Sequence, residues 1–222
     1  MKEKKLLIFD FDGTLVHFPF SFFYQETHRI FIKNEWATLE QTILEECFSD
    51  FDYFRFVKSF EHLDFDHVVK KFWDEFDWLS YPNAKLFEKI DVVLEDLDQS
   101  GYGLAIATAR SCTREELVVE LSLLQAFEFF SAIECRYDKN QDWLDKGPQL
   151  KRVLSNLQIK PENAILIGDT PSDIRSAKSV GLYGSIGVLS GGIKRDVLEL
   201  ESPDFIINDV LELPKVLNDW GF

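Results

Sequence analysis

Six short apolar runs, at 5–9, 103–108, 132–135, 164–167, 184–188 and 205–207, recur along this chain, and the last five are separated by stretches long enough for amphipathic helices. Antiparallel strands can be joined by tight hairpins, whereas parallel strands need a crossover, usually a helix. The alternation therefore predicts a parallel sheet with helices on its faces, a Rossmann-like α/β core. Helices are expected to begin near Asn83, Thr113, Pro148, Pro171, Ile193 and Asp209. Pro171 suits a first helical position, and Thr113 with Glu116 makes a capping box.

Between the first two runs lies a segment of different character. Positions 16–81 hold 19 of the 32 Phe, Trp and Tyr residues and all four histidines. Apolar residues there recur at helical spacing, as in Phe51, Phe54 and Val57, or in Val68, Val69, Phe72, Trp73 and Phe76. This predicts a small all-helical unit inserted after the first strand, with 1–15 and 82–222 forming the α/β core. Two crossings, near 16–20 and 80–83, would join the units and act as a hinge.

Composition narrows the partners. With 24 basic and 39 acidic side chains the net charge is -15, which repels a polyanion at long range and argues against nucleic acid. No apolar run reaches the ~20 residues of a membrane span, so a cytoplasmic protein with no membrane partner is expected. Cys47, Cys112 and Cys135 are widely spaced and are expected to be thiols rather than disulfides or metal ligands.

In an open parallel sheet, ligands bind beyond the carboxyl ends of the strands, so the residues just after each run carry the chemistry. The first run ends in Asp10-Phe11-Asp12-Gly13-Thr14. Alternation sends Asp10 and Asp12 to one side, and Gly13 lets the chain turn. Thr108, followed by Ala109 and Arg110, closes the second run. Because Thr113 caps the next helix, Thr108 is left to donate a hydrogen bond into the crevice. Lys146 precedes a helix start, where the dipole disfavours a cation, so another partner is implied. The fourth run leads into Gly168-Asp169-Thr170-Pro171-Ser172-Asp173, and Asp173 there is also placed to complement a helix N-terminus. Four carboxylates in one crevice repel one another unless a cation joins them, and an all-oxygen donor set favours Mg²⁺.

In these motifs and their order, DFDGTL at 10–15, Thr108, Lys146 and GDTPSD at 168–173, the chain resembles the haloacid dehalogenase (HAD) superfamily of aspartate-nucleophile phosphatases. It looks most like the phosphoglycolate phosphatase-like and pyrophosphatase-like branch. The resemblance implies that Asp10 attacks phosphorus, that Asp12 serves as acid and base, and that Thr108 and Lys146 hold the phosphoryl oxygens. It also implies Mg²⁺ bound by the Asp10 carboxylate, the Asp12 carbonyl and Asp169, with Asp173 orienting them. The inserted helical unit matches such enzymes' cap in position.

The expected activity is hydrolysis of a small phosphorylated metabolite, a phosphate monoester, by a monomer or homodimer. A phosphomutase using the same aspartate pair, a phosphate-binding scaffold and a receiver-like domain are the alternatives. Ala109 and Arg110 stand where many relatives differ. Arg110 is read either as a contact to a second anionic group of the substrate or as a surface residue. His17, just past the first motif, is the histidine placed to reach the substrate; the aromatic stripe reads as cap core.

Overall fold

The computed structural model describes residues 4–37, 40–52, 55, 57, 62–76, 84–136 and 145–222. Six parallel strands, β1 (Leu6–Phe9), β2 (Gly103–Ala107), β3 (Ala132–Glu134), β4 (Ala164–Gly168), β5 (Gly184–Val188) and β6 (Phe205–Ile207), form one sheet in the order β3-β2-β1-β4-β5-β6. The chain leaves β1 in one direction to build β2 and β3, then crosses back to place β4 on β1's other side. The carboxyl ends of β1 and β4 thus flank the switch point, where a crevice opens.

Strand residues alternate between two buried faces. Leu7, Phe9, Leu104, Ile106, Ile165 and Ile167 pack with α4 (Ile90–Gln99), α5 (Arg114–Leu123) and α9 (Leu213–Trp220). Leu6, Ile8, Ala105, Ala107 and Leu166 meet α6 (Gly147–Leu157) and α7 (Pro171–Val180) on the other face. Helices on both faces explain why the runs are apolar throughout rather than alternating with polar residues.

Helices α1 (Phe20–Lys33), α2 (Gln41–Ser49) and α3 (Phe65–Glu75) share a separate apolar cluster that includes Phe23, Ile30, Phe31, Leu44, Val68 and Phe72. Phe23 lies with its ring centroid 5.3 Å from Phe48 and 6.0 Å from Phe72, in tilted geometries that add to simple burial. Phe54, of the anticipated helical stripe, lies outside the described residues. No helix among the described residues is long and apolar enough to cross a membrane.

Three helix starts differ from expectation. Asn83 lies outside the described residues, and the helix after it begins only at Ile90. The backbone just before is used otherwise: Val16 and Leu86 form an antiparallel bridge, His17 N donates to Lys85 O (3.0 Å) and Phe87 N to Leu15 O (3.0 Å). Residues 15–17 are therefore tied to 85–87, while the second crossing, 80–83, lies outside the described residues. Near Asp209 the chain first makes a 3₁₀ turn, Val210–Glu212, started by the Asp209 side chain accepting from Leu211 N; α9 follows with Pro214 in its first turn. The short helix α8 spans Arg195–Glu199, two residues later than expected.

Candidate active site

The loop after β1 is held by its glycine. Gly13 adopts φ +76°, and a Cβ there would run into the Asp169 carboxylate; a Cβ at Gly191 would do the same. Asp169, at the end of β4, is thus enclosed by two bare Cα positions and accepts a hydrogen bond from Thr14 Oγ1 (3.1 Å). Ser190 Oγ donates to the Gly13 carbonyl (2.7 Å), joining the loops after β1 and β5.

Lys146 finds the partner that its helix-start position implied. Its Nζ lies 2.7 Å from Asp10 Oδ2 and 2.5 Å from Asp173 Oδ1, and all three side chains are buried. Asp173 turns its other oxygen to Thr170, accepting from the backbone N (3.0 Å) and Oγ1 (2.7 Å). It therefore caps α7 and grips the lysine at once. Thr108 sits at the end of β2; its Oγ1 accepts from Arg110 N (3.1 Å), which leaves its hydroxyl proton available.

Arg110 is neither on the surface nor open to solvent: its side chain is 3 % exposed. Nε and Nη2 donate to the two oxygens of Asp12 at 2.9 and 2.5 Å, Nη1 donates to Glu120, and the guanidinium lies 4.8 Å from the Phe11 ring centre. Asp10 and Asp12 thus meet different cations. His17 lies against the Phe87 ring, centroids 3.9 Å apart, and lines a neighbouring recess with Ser190 and Gly191 rather than the one containing Asp10. The three cysteines are free thiols; Cys112 Sγ donates to Cys135 Sγ at 3.5 Å.

One pocket collects these groups. Asp10, Asp12, Thr108, Ala109, Arg110, Lys146 and Asp169 line its core side, with Phe18, Phe48, Phe51 and Trp73 opposite. Arg136, Thr170 and Ser172 also face it and were not singled out from the sequence. Arg136 was within reach of the strand-end rule, since it follows the third apolar run. The pocket-lining role of the four aromatics was hidden because packing alone explains their pattern, and all four do belong to the apolar cluster's buried or adjoining residues.

The electrostatics follow from burial. Desolvation pushes the Asp10 carboxyl up to about 7, with Lys146 opposing the shift and Asp173 adding to it. Asp169 is raised well above the usual carboxylate range, first by burial and then by Asp10 and Asp173. Burial alone would lower Lys146, but the charges of Asp10 and Asp173 outweigh it and hold the ammonium protonated. Likewise Asp12 and Glu120 outweigh desolvation at Arg110 and raise it. One oxygen each of Asp10, Asp169 and Asp173 lies within 4.8 Å of the others. Three carboxylates against one lysine leave an excess of negative charge, and the donors are all hard oxygens, so the cluster fits a divalent cation such as Mg²⁺.

The family profile described as haloacid dehalogenase-like hydrolase matches residues 7–184. A pyrophosphatase PpaX from Bacillus cereus (strain Q1) is 26% identical over 222 residues, covering 96% of each chain. Among solved structures, a haloacid dehalogenase-like family hydrolase from Streptococcus pneumoniae superposes with TM-score 0.75 at 22% identity, covering 98% of this chain and 100% of its own. A hydrolase from Pseudomonas syringae gives TM-score 0.71 at 17% identity, with 97% and 99% covered. The profile spans most of the chain, from β1 to the start of β5, and the aspartates, threonine and lysine just described, at strand ends and helix starts, all lie within it: the chain belongs to the haloacid dehalogenase-like hydrolases.

Proposed function

We propose that this protein is a Mg²⁺-dependent phosphatase that hydrolyses a small-molecule phosphate monoester through a phosphoaspartate at Asp10. The observation carrying this reading is the buried Asp10 carboxylate, 2.7 Å from the Lys146 ammonium at the bottom of the shared pocket. A carboxylate attacking a phosphate needs its own charge and that of the phosphoryl group offset, and Lys146 stands beside the attacking oxygen for that purpose.

Asp10 Oδ attacks phosphorus in line, the bond from phosphorus to the leaving oxygen breaks, and Asp12, which enters the step protonated, gives that oxygen its proton and is left as a carboxylate. Water then attacks the phosphoaspartate, its proton passes to Asp12, and the bond from phosphorus to Asp10 breaks, releasing inorganic phosphate. Thr108 and Lys146 hold the phosphoryl oxygens during both steps. Asp10, Asp169 and the Asp12 carbonyl would hold Mg²⁺, with Asp173 orienting the cluster, and the ion would neutralise charge on the phosphate dianion. The unit of α1, α2 and α3 serves as a cap, residues 16–81, over the core formed by 1–15 and 82–222. Its Phe18, Phe48, Phe51 and Trp73 would exclude water and meet the leaving group.

Asp10→Asn tests the reading. The amide matches the carboxylate in volume but is not a nucleophile, so phosphate release from a panel of phosphorylated metabolites should fall to background while the melting temperature stays close to wild type or rises. A folded variant with near wild-type turnover would sink the mechanism.

A further inference from the structure

Neither the nucleophile nor the acidic cluster accounts for the buried guanidinium of Arg110. We propose that Arg110 is a positioning residue for the proton-transferring carboxylate of Asp12, and that Glu120 anchors Arg110 in turn; this rests on the phosphatase reading above. The backbone of Asp12 is already fixed by its bridge to Val16 and the turn at Gly13. Its side chain retains two torsions, and proton transfer requires an oxygen within roughly 3 Å of the leaving group.

The fork settles those torsions. With Nε on Oδ2 and Nη2 on Oδ1, the carboxylate plane is set by two parallel hydrogen bonds. Each carboxylate oxygen can accept more than once, so both keep a free lone pair, and Asp12 lines the pocket in this pose. The guanidinium is itself held on its far side by Glu120 of α5 and lies by the Phe11 ring. Charge balance excludes the other role open to Arg110, a receptor for a second anion on the substrate. Its single positive charge is already matched by Glu120 while Asp12 carries its proton, and exceeded once Asp12 is ionised. A lysine would not replace it, because an ammonium is a point charge without the planar fork.

The test uses steady-state kinetics of the full chain with Mg²⁺ on two esters: p-nitrophenyl phosphate, whose leaving group needs little protonation, and an alkyl phosphate such as glycerol phosphate, whose alkoxide needs it. Arg110→Lys should lower kcat for the alkyl ester by about 10- to 100-fold, with KM little changed and p-nitrophenyl phosphate turnover largely retained. Glu120→Gln should lower it in the same selective way but less, since the amide oxygen still accepts from Nη1. Adding Arg110→Lys to Asp12→Asn should cost nothing further on the alkyl ester, because the group being positioned is already gone. Thermal melting of each variant tracks folding separately.

Equal losses on both esters, a rise in KM alone, or losses that add to those of Asp12→Asn would each overturn the positioning role. Wild-type protein that releases phosphate from neither ester nor any metabolite would instead overturn the phosphatase reading, and this inference with it. Active wild type with unselective Arg110→Lys losses would overturn the inference alone.

Discussion

Asp10 and Asp12 are two positions apart, line one pocket, and are separated in chemistry by what lies behind them. Asp10 is buried against a lysine that it shares with Asp173, whereas Asp12 is gripped by an arginine from the loop after β2. A single strand end thus presents one carboxylate to a point charge and the other to a planar fork. If Asp12 is the acid, Asp12→Asn should slow alkyl phosphates by about 10²- to 10⁴-fold and p-nitrophenyl phosphate far less, as measured by kcat/KM on the two esters. Equal losses would contradict the acid role. The pair was readable from the string at 10–14, but the partner of Asp12 was not, since Arg110 lies 98 positions away and nothing local marks it as buried.

At the scale of elements, α7 shows a cap and a site built from the same atoms. Thr170 and Asp173 bond reciprocally around the helix start, Pro171 follows Thr170, and the remaining Asp173 oxygen holds Lys146. Removing the cap and removing the ion pair should therefore have different signatures. Thr170→Ala should cost about 0.5–2 kcal/mol of stability with a modest loss of turnover. Asp173→Asn keeps a side-chain acceptor at the helix start but leaves Lys146 with Asp10 alone, so it should lose more activity than Thr170→Ala does. Denaturant melts and kcat measured on the same samples check this, and a larger activity loss in Thr170→Ala would refute it. Capping chemistry was legible in the sequence because it is local: the Thr113–Glu116 box forms as expected. The helix expected near Asn83 fared differently, because pairing of 85–87 with the crossing at 15–17 is a long-range contact that outweighs local helical pattern.

Across the whole molecule, the buried carboxylates couple folding to proton concentration and, on the proposed function, to metal concentration. In metal-free protein Asp10 keeps its proton to about pH 7, whereas an unperturbed aspartate loses it near 3.8. The folded state binds more protons over that interval, so stability falls as pH rises through it, by at most about 1.4 kcal/mol per pH unit for one group. Asp169, also raised, acts in the same direction. Mg²⁺ favours the ionised forms and should flatten the decline. Unfolding midpoints at pH 5 and 7.5, in excess chelator and in Mg²⁺, check both statements; a chelated protein more stable at pH 7.5 would contradict the first. With a net charge of -15, the proposed capture of an anionic substrate would depend on short-range contacts to Lys146 and a bound cation rather than on long-range attraction.

The sequence by itself determined the sheet, its parallel sense and the candidate site residues at the strand ends, because those rest on period, run length and strand-end position, all local properties of the chain. It also marked 16–81 as compositionally distinct, and α1, α2 and α3 within it share a cluster separate from the sheet's. Only the tertiary structure decided which charges meet. Lys146 reaches Asp10 across 136 positions, Arg110 turns to Asp12 and Glu120 instead of solvent, and aromatic residues of α2 and α3 serve as both packing and pocket wall. The reason is physical: an ion pair's existence depends on distance and burial, which vary from nothing to several kcal/mol with a few ångströms of placement, and no pattern in the chain records that placement.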